Sequence, residues 1–136
     1  MKIGVYDPYL NTLGGGEKYI LTAASCLSTK HEVFVFWDQD DILTLGQKKF
    51  EIDLSRVSLT QNIFNQEIST IKRFLETKKY DAILFLSDGS IPFVAPNLYI
   101  HFQFPVEWIN TKGFLEKQKI KRIKKIICNS NFTKEH

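Results

Sequence analysis

Short, almost wholly apolar runs alternate along this chain with stretches whose apolar residues recur at helical spacing. The runs lie at residues 2–6, 32–37, 56–59, 82–86, 98–102 and 125–129. Runs apolar at every position, such as Ala82-Ile83-Leu84-Phe85-Leu86, suit strands covered on both faces, as in a parallel sheet. Between them, Ile20, Ala23, Ala24 and Leu27 mark one face of a helix over 17–28, and Ile68, Ile71 and Leu75 one face of a helix over 67–77. Further helices are expected at 40–49, at 113–124 and from Ser130 onward. The alternation predicts an α/β domain in three layers (α/β/α), with a mostly parallel sheet of about six strands. At 136 residues the chain has room for one such domain, residues 1–136, around one core.

Other classes are disfavoured. No apolar run approaches the length of a membrane span. The start, Met1-Lys2-Ile3-Gly4-Val5-Tyr6, lacks the features of a signal peptide and reads as a first strand, so a cytoplasmic protein is expected. Cys26 and Cys128 are far apart, in apolar surroundings, and are expected to be two buried thiols. His31, His101 and His136 form no metal-ligand spacing, and no metal is expected. The chain stops at His136, about one turn into its last helix, which reads as a fragment of something longer.

In an open parallel sheet, ligands bind beyond the carboxyl ends of the strands. That rule selects the loops at 7–16, 38–41, 87–90, 103–108 and 129–133. In the first, Gly14-Gly15-Gly16-Glu17 follows a strand and opens a helix. Glycines there admit a ligand close to the backbone N–H groups, for a phosphate or a sugar hydroxyl; structurally they need be only a flexible turn. Glu17 falls in the first helical turn, which favours a negative charge. A dinucleotide site would place Asp38 on a ribose, but the glycine spacing is wrong and the loop from Asp7 to Leu13 too long. Asp38-Gln39-Asp40-Asp41 offers a D-x-D metal pattern, against which stands the simpler expectation that Asp38 or Asp40 caps the next helix.

Taken together, three segments resemble the family 4 glycosyltransferases. Lys2–Tyr6 with Gly14-Gly15-Gly16-Glu17 looks like that family's first strand and glycine-rich acceptor loop. Tyr99-Ile100-His101-Phe102-Gln103-Phe104-Pro105 looks like its strand ending in a His, and Ile126-Ile127-Cys128-Asn129-Ser130-Asn131-Phe132-Thr133-Lys134 like its late N-domain strand. The resemblance implies the Rossmann-like N-terminal, acceptor-side domain of a retaining GT-B enzyme that moves a sugar from a nucleotide-sugar to a glycan or lipid-linked acceptor. It implies that a C-terminal domain, absent from these residues, binds the donor and that no metal is required. It places His101 near the reacting sugar and Gly14, Gly15 and Gly16 on the acceptor or a phosphate. Asp88 and Gln103, on neighbouring loops, are further candidates for acceptor hydroxyls, and Ser130 for a helix cap. The alternative is a non-catalytic Rossmann-like binding module.

Charge is concentrated. Residues 1–111 carry 10 Lys+Arg and 13 Asp+Glu, whereas residues 112–125 carry seven basic residues and Glu116 alone. Lys112 to Lys125, interleaved with Phe114, Leu115, Ile120 and Ile123, reads either as a basic amphipathic helix on the inner face of an anionic membrane or as an ordinary crossover helix. Crossover packing is the expectation, with the apolar residues on the sheet. Nucleic acid is not expected, since stacking aromatics are missing from this segment. An acceptor-side half on its own exposes an apolar cleft wall through which two copies could pair.

Overall fold

The structure is a computed structural model that describes residues 1–106 and 112–135. Its elements are β1 (Lys2–Tyr6), a 3-10 turn (Leu10–Thr12), α1 (Gly15–Ser28), β2 (Glu32–Phe36), α2 (Ile42–Phe50), β3 (Val57–Thr60), α3 (Thr70–Thr77), β4 (Ala82–Ser87), β5 (Asn97–Phe102), α4 (Phe114–Lys121), β6 (Ile123–Cys128) and α5 (Asn131–Glu135). All six strands run parallel, in the order β3-β2-β1-β4-β5-β6. With helices on both faces this is a three-layer, Rossmann-like α/β fold.

Strand alternation builds two cores. Ile3, Val5, Val33, Val35, Leu84 and Leu86 face α1 and α2. Tyr6, Phe36, Ile83, Phe85 and Ile100 face the opposite layer, joined by Ile63, Tyr80, Ile91 and Val94. Every residue of β4 is buried, as its unbroken apolar run predicts. Gly4 makes room for a ring: a Cβ there would lie 2.4 Å from the Phe36 ring.

Several expectations change at the level of packing. The buried face of α1 is centred on Glu17, Ile20, Leu21 and Ala24, with Ala23 and Leu27 at its margin, because Leu21 turns toward Gly46 of α2. On α3 the expected apolar face looks outward, with Ile71 75% and Leu75 54% exposed. The helix packs instead through Phe74, stacked on Phe93 at 4.8 Å, and through the buried Thr77. The predicted helix over 113–124 ends at Lys121, so Lys124 and Lys125 belong to β6. Nor do Phe114, Leu115 and Ile120 pack on the sheet. No residue of α4 is buried, Phe114 is 79% exposed, and apolar and basic residues are not segregated to opposite faces. The thiols also differ from expectation. Cys26 is exposed, at the edge of α1 beside one face of the sheet, and Cys128 is half-buried at the end of β6. That face presents Leu84, Tyr99 and Ile127 beside Ala23 and Leu27 of α1, forming an apolar groove of about 440 Å³.

Candidate functional site

Three of the selected loops converge at the carboxyl rim. Gly15 and Gly16, His101 and Gln103, and Cys128 and Asn129 line one open cleft of about 760 Å³, with Tyr19 and Phe104. The last two residues of the loop 103–108 lie outside the described residues, as does His136.

The glycine turn opens α1. Gly14 is its N-cap in extended conformation, and none of the three glycines has a positive φ. Backbone strain therefore does not explain them. Glu17 closes the turn: its Oε2 accepts the Gly14 N–H at 2.7 Å and the Thr12 hydroxyl at 3.0 Å. The N–H groups of Gly15 and Gly16 stand in the first turn, where no intrahelical acceptor exists. At Gly16 a Cβ would fall 2.6 Å from Gln103 Oε1, so this glycine lets the Gln103 amide approach the helix end. At Gly15 a Cβ would meet nothing within 4 Å. Its missing side chain leaves open space in front of the helix terminus.

His101, the penultimate residue of β5, is 3% exposed. Its ring stacks on Tyr19 of α1, with centroids 4.4 Å apart and planes 23° apart. Burial lowers its pKa, which keeps the imidazole neutral near pH 7. A neutral ring has one N–H to donate and one lone pair to accept. Its Nδ1 is buried and has no hydrogen-bond partner among the described residues.

The other such atom among the described residues is Asp7 Oδ2. Asp7 follows β1 directly and is 1% exposed. Its Oδ1 accepts the Tyr9 N–H at 2.8 Å. Its neighbour is the Glu17 carboxylate, so two acceptors face each other unless a proton lies between them. Desolvation raises the Asp7 pKa to about 7; the Tyr9 N–H opposes the rise and the Glu17 carboxylate adds to it. The pair thus takes up a proton more readily than two separate carboxylates would. Tyr6 pairs with Phe85 and Leu86 with His101, so Asp7 and His101 occupy one row of the sheet, two strands or about 10 Å apart. Sequence reading missed both Asp7 and Tyr19. Asp7 was open to discovery, as the first residue of the first selected loop. Tyr19 was not, since only the closure of α1 over β5 brings it to His101.

The end of β6 is tied into the cleft. The Asn129 side chain donates to the Gln103 carbonyl at 2.8 Å, and its Oδ1 accepts the Thr133 hydroxyl at 3.0 Å. Ser130 caps α5 as expected, its Oγ accepting the Thr133 N–H at 3.1 Å.

Asp88 is not brought to this cleft. Its Oδ1 accepts the Ser90 N–H and hydroxyl at 3.2 and 2.8 Å, and it lines a different cavity on the other face. The D-x-D segment is likewise apart. Asp38 accepts the Asn62 N–H at 2.9 Å, and the N-cap of α2 is Asp41, not Asp38 or Asp40. The strand ends at Phe36, leaving Asp38 beside the β3–α3 loop and Asp40 without a cap bond. No cluster of three or more metal-ligating side chains occurs among the described residues.

Compared with protein-family models, with curated proteins and with solved structures, the chain matches none.

Proposed function

We propose that this chain is the acceptor-side domain of a retaining glycosyltransferase that uses a nucleotide-sugar. One observation carries the reading: the glycine turn and His101 line the same cleft at the carboxyl rim. The chemistry favours a hydroxyl over a phosphate at the turn. Glu17 already occupies the anion-attracting end of α1, with Asp7 beneath it, and a phosphate would meet that negative charge at close range. A sugar hydroxyl can accept from the N–H groups of Gly15 and Gly16 without that cost. His101, kept neutral by its burial, then offers a hydrogen bond to a second hydroxyl or to charge developing on the reacting sugar. Gln103, held against Gly16, supplies a donor and an acceptor beside them. On this reading the donor half is a partner domain, and no metal is required.

Mapping amide shifts while candidate saccharide acceptors are added tests the proposal. Saturable shifts are expected at Gly14–Glu17 and around His101. Shifts confined to Lys112–Lys125 would overturn it. A non-catalytic binding module is the second reading, and the uncovered groove beside Tyr99 and Ile127 favours it, because a docked partner or a second copy would bury that apolar surface.

A further inference from the structure

At the carboxyl rim the chain leaves β1 and β4 toward opposite faces. From β1 it enters α1, over Ile3 and Val5; from β4 it enters the 88–96 connection, which buries Ile91 and Val94 on the other side. Open parallel sheets bind ligands at such reversals. A cavity of about 450 Å³ lies there, on the face away from α1. Its walls include the rings of Tyr6 and Phe64, whose centroids are 4.6 Å apart, and the polar groups of Gln66, Thr70, Arg73 and Asp88.

Arg73 and Asp88 are fixed in place. Arg73 donates from Nε to the Ile63 carbonyl at 2.9 Å, and from Nη2 to the Asn65 and Ile68 carbonyls at 3.2 and 3.3 Å. Its Nη1 has no hydrogen bond among the described residues. Asp88 uses Oδ1 to hold its own turn through Ser90, and its Oδ2 is likewise without a bond among them. The fixed charges cancel. The lining holds one guanidinium, Arg73, and one carboxylate, Asp88, and Lys119 at the margin is paired with Glu116 at 3.1 Å. Balanced walls favour neither a phosphate nor a cation. Aromatic rings beside mixed donors and acceptors suit a neutral ring whose hydroxyls both donate and accept and whose C–H face is apolar. The size of the cavity is that of a small-molecule site.

We propose that this cavity binds a neutral saccharide, with Arg73, Asp88 and the Tyr6 hydroxyl as its polar contacts. The site lies across the sheet from His101, so it holds sugar without reacting with it. It concerns binding alone and does not rest on the transfer reading.

The test is titration of the isotope-labelled chain with maltose, cellobiose or chitobiose, and separately with adenosine and inorganic phosphate. At least one disaccharide is expected to give saturable shifts at the amides of 66–73 and 88–93. Affinity is expected to fall roughly three- to tenfold in Tyr6→Phe and in Asp88→Asn. Tyr6→Phe removes one oxygen and keeps the ring in the core, and the wild-type map needs no variant. The inference is overturned by no saturable shift at those amides, by adenosine or phosphate acting there at lower concentration than every disaccharide, or by unchanged affinity in both variants. Disaccharide shifts confined to Gly14–Glu17 and His101 would also overturn it, while supporting the cleft. Shifts at 66–73 and 88–93 alone would support this site and count against the cleft.

Discussion

Two glycines one position apart separate stability from function. Gly16→Ala would press on the tip of the Gln103 side chain, which can swing away. Gly15→Ala meets no protein atom and replaces the poorer helix former, so stability is expected to rise by roughly 0.5 kcal/mol or stay level in urea denaturation. If a ligand occupies that space, its affinity drops in the same variant. Gly15 was legible in the sequence as a member of a triplet, but not as the member with an empty front, because that property depends on where Gln103 and Glu17 end up. Asp7 allows a test by pH. Its pKa is raised to about 7 in the folded state, so the folded chain binds this proton more tightly than the unfolded one. Stability contributed by the proton is complete below the ordinary carboxylate range and declines as pH rises to about 7, by a few kcal/mol at most. Asp7→Asn keeps an acceptor for Tyr9 and gives Glu17 a permanent donor. Its thermal midpoint is expected to exceed that of the wild type above pH 7 and to match it at acid pH. His101 acts in the opposite sense: its lowered pKa means that stability falls as pH drops below its ordinary value, and His101→Gln should remove that acid slope.

The elements were readable where one physical rule governs them. β1, β2, β4 and β5 are runs buried on both faces, and burial on both faces leaves no other pattern. Helix faces were less readable, as α3 shows. Its apolar spacing picks out Ile71 and Leu75, yet Thr77 is the residue that anchors it. The Thr77 hydroxyl donates to the Phe74 carbonyl at 2.9 Å and accepts the Ala95 N–H at 3.0 Å, joining α3 to the connection that ends in β5. A polar side chain buried for its hydrogen bonds is invisible to a hydrophobic period. Thr77→Val keeps the volume and strands the Ala95 N–H, and should cost about 1–3 kcal/mol in urea denaturation. Ile71→Lys and Leu75→Lys, by contrast, should each stay within about 0.5 kcal/mol of wild type. At α4 the pattern misled for a different reason: the chain turns at Arg122, whose guanidinium donates to the Ala95 carbonyl at 2.7 Å and lies over the Phe74 and Phe93 rings. That anchor begins β6 at Ile123, two residues before the predicted run at 125–129.

At the scale of the whole molecule the sheet order places the glycine-turn cleft and the Arg73–Asp88 cavity at one rim and leaves an apolar groove on a flank. The strand order was not legible in the alternation of elements, since right-handed crossovers permit several orders, but the three layers were implicit in it. Which candidates share a cavity was not, because it depends on register: His101 opposes Leu86 on the α1 side, whereas Asp88 turns to the other. Cys128, half-buried, lines the cleft with His101 and Gln103, while Cys26 sits outside in the flank groove. The chain thus carries its own pair of chemical probes. Alkylation of Cys128 by iodoacetamide reports whether the cleft is occupied, and Cys26 in the same tube gives the rate for an unaffected sulfur. A saccharide seated on the glycine turn slows the first reaction and leaves the second alone, so mass spectrometry of two peptides can follow occupancy without labels, variants or turnover.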